Sequence, residues 1–133
     1  MGSTSAQPTE IKLHQQSRLL EVSFANGKTF SFPCEFLRVY SPSAEVRGHG
    51  PGQEVLQVGK KNVEITHIEP MGGYAIQLSF SDGHDTGIYS WDLLYDFGLL
   101  QEEMWQRYLK RMLEAGASRE PGAAPFESRP KSK

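Results

Sequence analysis

The segment LLEVSFANGKTFSF, residues 19–32, is the most informative part of this 133-residue chain for its architecture. Apolar and polar residues alternate on both sides of Asn26-Gly27, as they do in strands that bury one face. Asn-Gly accepts the positive φ angles of a type I′ turn, so the segment predicts a tight antiparallel hairpin. Pro33 follows and is predicted to end the second strand, because proline cannot donate to a sheet ladder.

Further alternating segments lie on either side of this hairpin. They occupy residues 11–14, 63–69, 74–80 and 85–89, and turns rich in glycine separate the last three. Short strands that follow one another so closely are typical of a meander. We therefore expect five or six antiparallel strands.

From Ser90 onward the hydrophobic pattern changes to the period of a helix. Ser90 is a suitable N-cap, and Gly98 is expected to interrupt the helix before a longer segment at 99–115. Gly116 is a suitable C-cap. The longer segment carries an apolar stripe that is expected to pack on the sheet rather than dock a partner, formed by Met104, Trp105, Tyr108, Leu109, Met112 and Leu113. The predicted class is α+β: a mainly antiparallel sheet of short strands with one or two C-terminal helices packed on it.

Length and composition predict one ordered domain at 9–115, with disordered ends at 1–8 and 116–133. The net charge of −2 argues against a nucleic-acid surface, which needs clustered positive charge. The single cysteine, Cys34, excludes an internal disulfide and a self-contained iron–sulfur cluster. No apolar run approaches the roughly 20 residues of a membrane helix, and no signal pattern is visible, so a cytoplasmic protein without membrane contact is expected.

The segment DGHD, residues 82–85, raises the question of a metal or acid–base site. Asp-Gly is a common turn pair, which accounts for the first two residues without any chemistry. His84 and Asp85 keep no required role in such a turn. An iron site made of His67, His84 and either Asp82 or Asp85 is the alternative. With four histidines in the chain, groupings of this kind arise by chance, so the turn is the preferred interpretation.

Other sites of enzymatic chemistry find little support in the sequence. The chain has no G-x-S-x-G nucleophile elbow and no phosphate-binding P-loop. His67 falls on the same strand face as Ile65, so we expect it to be partly buried and hydrogen-bonded. His49 lies between two glycines in the 41–53 loop and is expected to be exposed to solvent.

The order of these segments resembles a known family. SDGHDTGIYSWDLL at 81–94, the FLR-x-x-S-P-S pattern at 36–43 and the Asn-Gly hairpin are similar to the gamma-butyrobetaine hydroxylase-like N-terminal domain, also called DUF971, over residues 9–112. The resemblance implies a zinc site made by a C-x-C-x-x-C cluster and one histidine. The corresponding positions here are Ser41, Ser43, Val46 and His84, so His84 is the only family ligand that remains.

The resemblance also implies that catalysis lies elsewhere, since long members of the family carry iron and 2-oxoglutarate in a separate C-terminal domain. We therefore predict a non-catalytic interaction or accessory module without a cofactor. Its surface is expected around Arg38, His84, Asp85 and the 41–53 loop, and its partner is an unidentified protein rather than nucleic acid or membrane. The first alternative is a labile zinc or iron binder linked to iron–sulfur or oxygenase metabolism, using His84 with Asp82, Asp85 or His49; the second is a small enzyme.

Overall fold

The computed structural model describes residues 7–48 and 54–121. The α+β class is confirmed, although the predicted strands divide into two three-stranded antiparallel sheets, of order β1-β2-β3 and β4-β5-β6. The strands are β1 (Pro8–His14), β2 (Leu19–Phe24), β3 (Thr29–Pro33), β4 (Ile65–Met71), β5 (Ala75–Phe80) and β6 (Gly87–Ser90). The helices are α1 (Cys34–Val39), α2 (Ala44–Arg47) and α3 (Trp91–Ala115).

The Asn-Gly hairpin forms between β2 and β3, but its turn is not of type I′. Among the described residues other than glycine, only Arg18 has a positive φ, so Asn26 does not adopt the angle that type I′ requires. Gly27 has a φ of 94°, and the backbone N–H of Phe24 donates to the carbonyl of Lys28 at 2.8 Å across a three-residue loop. Asn26 is held instead by its side chain, which donates to the hydroxyl of Tyr95 at 2.9 Å.

A register shift changes which residues of β4 face the core. Ile65 pairs with Phe80, but His67 pairs with Ser79, so one extra residue is present on β4 between these pairs. The shift turns Ile68, rather than His67, toward the interior. The prediction of a partly buried His67 is therefore wrong: its side chain is 63% exposed and lies 3.0 Å from a carboxylate oxygen of Glu69.

The C-terminal helix α3 is continuous over 25 residues, so the predicted interruption at Gly98 does not occur. The side chain of Ser90 accepts the backbone N–H of Leu93 at 3.1 Å, and Gly116 caps the other end with a φ of 65°. The role of Gly98 is steric, because a Cβ there would lie 2.3 Å from a ring carbon of Phe30. The absence of a Cβ at Gly98 lets α3 approach β3 closely.

The chain continues along the surface beyond α3. Backbone N–H groups of Gly59 and Lys61 donate to the carbonyls of Ser118 and Arg119, each at 2.9 Å. The guanidinium of Arg119 binds both carboxylate oxygens of Glu35 at 2.7 and 2.8 Å. Residues 117–120 of the segment predicted to be disordered thus have defined contacts, whereas 1–6 and 122–133 lie outside the described residues.

One apolar core joins both sheets to the helices. Its largest fully buried members come from β2, β3, α1, β4, β5, β6 and α3, and include Leu20, Phe32, Phe36, Ile65, Leu78, Tyr89 and Leu94. Trp105 and other residues of the predicted α3 stripe pack against this core or belong to a second, smaller apolar cluster that includes Val39, Tyr108 and Met112. Leu113, also of the stripe, is 82% exposed. No helix within 7–48 and 54–121 is both long and apolar enough to cross a bilayer.

Candidate functional site

The two segments on which the family resemblance rests meet in the structure. Segment 41–47 leaves α1 and forms the one-turn helix α2, in which the side chain of Ser43 accepts the backbone N–H of Glu45 at 3.2 Å. The loop between β5 and β6, residues 81–86, lies against it. We call the side chains at this contact the polar corner; they are Arg38, Ser41, Ser43, Glu45, Lys60, Asp82, His84 and Thr86.

A tight turn presents His84 to this contact. The backbone N–H of Phe80 donates to the carbonyl of His84 at 2.9 Å, and that of Gly83 donates to the carbonyl of Phe80 at 3.0 Å. Gly83 has a φ of 92°, which only glycine adopts readily. The carboxylate of Asp82 accepts the backbone N–H of His84 at 3.1 Å. The turn roles predicted for Asp82 and Gly83 are confirmed.

The imidazole of His84 is buried and has a polar neighbour at each ring nitrogen. Its Nε2 lies 2.8 Å from the hydroxyl oxygen of Ser41, and its Nδ1 lies 3.2 Å from a carboxylate oxygen of Glu45. Burial and the charge of Arg38 lower the pKa of His84, against the opposing influence of Glu45 and Asp82. A neutral ring with a carboxylate beside Nδ1 favours the tautomer that carries its proton there, which leaves Nε2 free to accept from the Ser41 hydroxyl.

The serines of the polar corner carry further hydrogen bonds. The hydroxyl oxygens of Ser43 and Thr86 lie 2.7 Å apart, and the backbone N–H of Ser43 donates to the hydroxyl oxygen of Ser41 at 3.2 Å. Gly87 makes this approach possible, because a Cβ there would lie 2.5 Å from the Ser41 oxygen. The hydrogen bond between the hydroxyl groups of Ser43 and Thr86 thus links segment 41–47 to the residue before β6.

Two cations share the carboxylate of Asp82. The Nε of Arg38 lies 2.8 Å and the Nζ of Lys60 lies 2.5 Å from the same oxygen. Although burial opposes ionisation, hydrogen bonds from Lys60 and the His84 backbone and the charge of Arg38 lower the pKa of Asp82 to about 2. Among the described residues, the Nη1 of Arg38 is the buried side-chain polar atom left without a hydrogen-bond partner.

The predicted interaction surface is only partly exposed. Asp85 faces solvent, whereas Arg38 and His84 are 7% and 6% exposed because their polar groups bond inside the corner. Glu45 and Lys60 complete the corner, and sequence reasoning missed both. Each meets a partner far away in the chain, and a charged residue in a one-turn helix or a loop gives no local signal of such a contact.

Ser41, His84 and Glu45 stand in the order of a nucleophile, a base and an acid. Their separations of 2.8 and 3.2 Å lie within hydrogen-bond reach. Ser41 is however only 1% exposed, and its oxygen also accepts the backbone N–H of Ser43. A nucleophile has to reach a substrate atom, so a trio whose serine and histidine are buried is suited to joining two segments rather than to attacking a substrate.

The side chains at the positions for which the resemblance implies zinc ligands do not fit zinc in this chain. Ser41 and Ser43 supply neutral hydroxyls and Val46 supplies methyl groups, whereas structural zinc takes four thiolate or imidazole ligands. Within the described part of the chain, no group of three or more His, Cys, Asp and Glu side chains is arranged to hold a metal ion. His67 bonds Glu69 on the exposed side of β4, and His49 lies outside the described residues.

A cleft of about 200 Å³ lies beside the polar corner, between segment 41–47 and α3. Its lining is mainly apolar and includes Val39, Val46, Val55, Leu93, Phe97 and Met104. Arg47, Glu54 and Arg111 add charged groups to the lining. No feature of the sequence marked this cleft, because its walls come from α1, α2, α3 and the segment after residue 53.

Comparison with known families identifies the fold and its relatives. The family described as gamma-butyrobetaine hydroxylase-like, N-terminal, matches residues 11–95. The chain belongs to this family. The predicted resemblance is thereby confirmed. No curated protein matches the chain.

Solved structures of similar chains agree with the family assignment. Two solution NMR structures share 54% and 41% sequence identity with this chain, each with a TM-score of 0.78. The first match covers 91% of this chain and 90% of the other, and the second covers 97% and 100%. The crystal structure of a DUF971 family protein of unknown function from Acidithiobacillus ferrooxidans ATCC 23270 is 39% identical, covers 66% and 88%, and has a TM-score of 0.51.

Proposed function

We propose that this family member is a non-catalytic cytoplasmic module that acts by binding a protein partner, and that segment 41–47 forms the centre of the binding surface. The observation that carries the proposal is the pair of contacts that His84 makes, a hydrogen bond to Ser41 at Nε2 and a carboxylate oxygen of Glu45 at 3.2 Å from Nδ1. The imidazole at the family's metal position is thereby engaged in holding segment 41–47 in place. The exposed residues of segment 41–47 are therefore held in a fixed position on the surface.

The exposed side of segment 41–47 has a mixed polar character suited to a transient interface. Ala44, Glu45 and Arg47 of α2 are exposed, and Asp85 is exposed on the neighbouring loop. Burial raises the pKa of the Cys34 thiol, which makes the only cysteine of the chain a poor nucleophile. These properties support binding rather than covalent chemistry.

Affinity capture with surface variants tests this proposal. The full chain would be used to capture proteins from an extract of its source organism, beside Ala44→Arg and Asp85→Lys variants and a Glu10→Lys control on β1 of the other sheet. We expect a specific partner to be lost with both corner variants and retained with the control. A partner that binds all four proteins equally would overturn the assignment of the surface.

Metal binding is the second candidate, and the closeness of His84 to Glu45 favours it, because a neutral imidazole and a carboxylate are both metal ligands. The test is elemental analysis of protein purified without chelator. Our proposal predicts substoichiometric zinc and iron. A stoichiometric metal that disappears in His84→Ala would replace the binding-module proposal with the metal-binding one.

Enzymatic use of the Ser41–His84–Glu45 trio has its own test. Ser41 borders the cleft, so a reagent that enters the cleft tests whether the Ser41 hydroxyl can be reached. We expect a fluorophosphonate probe to leave the full chain unmodified, as judged by intact mass. Labelling at Ser41 that is abolished in His84→Ala would show an activated nucleophile and would contradict a non-catalytic role.

A further inference from the structure

The cleft beside segment 41–47 differs from an ordinary surface hollow in its charges. Arg47 and Arg111 both line it, and neither is in an ion pair with any residue in 7–48 or 54–121. Glu54 also lines the cleft but does not approach either arginine closely enough to form an ion pair. Arg111 is half-buried, so its unpaired guanidinium is a favourable place for an incoming carboxylate.

The apolar part of the cleft lies next to these cations. Phe97 and Val46 are buried residues of its wall, and Leu93 and Met104 come from the same face of α3. A group that enters the cleft therefore exchanges water for aliphatic and aromatic carbon. Methionine adds a side chain that adapts its shape to an occupant.

The size of the cleft limits what it can take. Pockets for drug-sized ligands and cofactors span about 300–1,000 Å³, whereas this one measures about 200 Å³. That volume suits a single large side chain rather than a nucleotide or a flavin. An anchoring side chain set in a small pocket is the usual form of a binding hot spot between proteins.

We propose that the cleft receives one large apolar side chain of the partner protein, with an adjacent carboxylate held by Arg111 and Arg47. This inference rests on the proposed function and names the chemistry that the partner presents. The carboxylate belongs to an acidic side chain or to the end of the partner chain. The apolar anchor supplies affinity, and the charge sets the direction in which the peptide lies.

The probe for this proposal is N-acetylphenylalanine, with N-acetylphenylalaninamide as its uncharged match. Both would be titrated into the full-length ¹⁵N-labelled protein and followed by amide chemical shifts. We expect the acid to shift the amides of Val46, Val55 and Phe97 with a dissociation constant of about 1 mM, a reasonable affinity for so small a ligand. N-acetylphenylalaninamide should bind about tenfold more weakly, since it lacks the negative charge of the acid.

A charge-matched pair of variants completes the experiment. Arg111→Gln should weaken binding of the acid about tenfold and leave binding of the amide unchanged, whereas Lys110→Gln, which removes a cation outside the cleft lining, should change neither. Equal affinities for acid and amide, shifts confined to other surfaces, or no binding at 10 mM would each overturn the proposal. Partner capture that still depends on Ala44 and Asp85 would then leave the proposed function standing.

The chain itself supplies a competing occupant. Residues Phe126 and Glu127 place an aromatic side chain next to a carboxylate in the segment after Pro121. A full-length Phe126→Ser/Glu127→Gln variant should bind the probe as the wild type does if the cleft serves a partner. Binding that becomes more than threefold tighter in this variant would assign the cleft to the chain's own C-terminal segment and overturn the proposal.

Discussion

Segment 41–47 has two sides, and they differ in how far their polar groups are satisfied. Toward the β5–β6 loop lies the polar corner, where Ser41 bonds His84, Ser43 bonds Thr86, and Arg38 donates to Asp82. Toward α3 lies the cleft, where Arg47 and Arg111 have no ion-pair partner in the described chain. Residues of the types common in reactive sites are thus joined to one another at the corner, whereas the two arginines that we propose for binding lie in a cleft without a sequence motif.

Converting the polar corner into a metal site would have the greatest effect of the changes we propose. We expect Ser41→Cys, Ser43→Cys and Val46→Cys together to create, with His84, a four-ligand zinc site. Ser41 already lies within 2.8 Å of the His84 Nε2, and its oxygen accepts the Ser43 backbone N–H. Zinc should bind with one equivalent per chain and raise the thermal midpoint, as measured by elemental analysis and calorimetry.

The same triple variant with His84→Ala is the matched control for zinc binding. It should hold zinc at least tenfold more weakly, because three thiolates leave the tetrahedral set incomplete. A triple variant that binds no zinc would show that Ser41, Ser43 and Val46 do not occupy the cysteine positions that the resemblance implies, and would remove the reason to relate the polar corner to a zinc site.

Asp82→Ala should cause the largest loss of stability within the polar corner. It removes the carboxylate from the buried Arg38 guanidinium and from Lys60, and an uncompensated buried charge costs about 3–5 kcal/mol. Urea unfolding followed by circular dichroism measures this loss. Asp85→Ala, three residues away on the exposed loop, should change the free energy of unfolding by less than about 0.5 kcal/mol. Similar losses for both variants would contradict the structural role of the corner.

Acid should weaken the polar corner in two separate ranges of pH. Because the pKa of His84 is lowered in the folded chain, the unfolded chain binds its proton more readily, and stability falls as pH drops below about 6.5. The pKa of Asp82 is lowered from 3.8 to about 2, and because solvent screens this partly exposed carboxylate, a further loss of about 1 kcal/mol should follow between pH 4 and pH 2. Above pH 7 both contributions are fully present.

Urea unfolding at pH 7.5 and pH 5.5 isolates the first of these effects. His84→Gln should reduce the difference in unfolding free energy between the two pH values, whereas His67→Gln, at an exposed position, should leave it close to that of the wild type. An unchanged pH dependence in His84→Gln would mean that the buried imidazole does not control stability in this range.

Local patterns in the sequence predict much of the fold, and the exceptions have physical causes. Alternation locates the strands, and Ser90 marks the start of α3 because capping chemistry is local. The continuous helix through Gly98 depends on the ring of Phe30, which is distant in sequence. The exposure of His67 depends on a register shift that only the pairing of β4 with β5 reveals.

The candidate site divides in the same way. The turn at Asp82-Gly83 follows from dipeptide chemistry, whereas the partners of His84 do not, since Ser41 and Glu45 are brought to it by tertiary packing. The resemblance to a family pointed to Ser41 and His84 together, and that information came from the order of segments rather than from the physics of either residue. The cleft has four walls from separate elements, which no local pattern encodes.

Arg111→Gln should have the smallest effect on the free energy of unfolding. It therefore contrasts most clearly with substitutions in the polar corner. Arg111 makes no ion pair within 7–48 or 54–121, so its replacement should change the free energy of unfolding by less than about 0.5 kcal/mol. Its amide spectrum should differ from that of the wild type only near the cleft. A loss comparable to that of Asp82→Ala would mean that Arg111 stabilises the fold as the polar corner does. A stable variant that no longer distinguishes N-acetylphenylalanine from its amide would separate binding from stability on the two sides of one short segment.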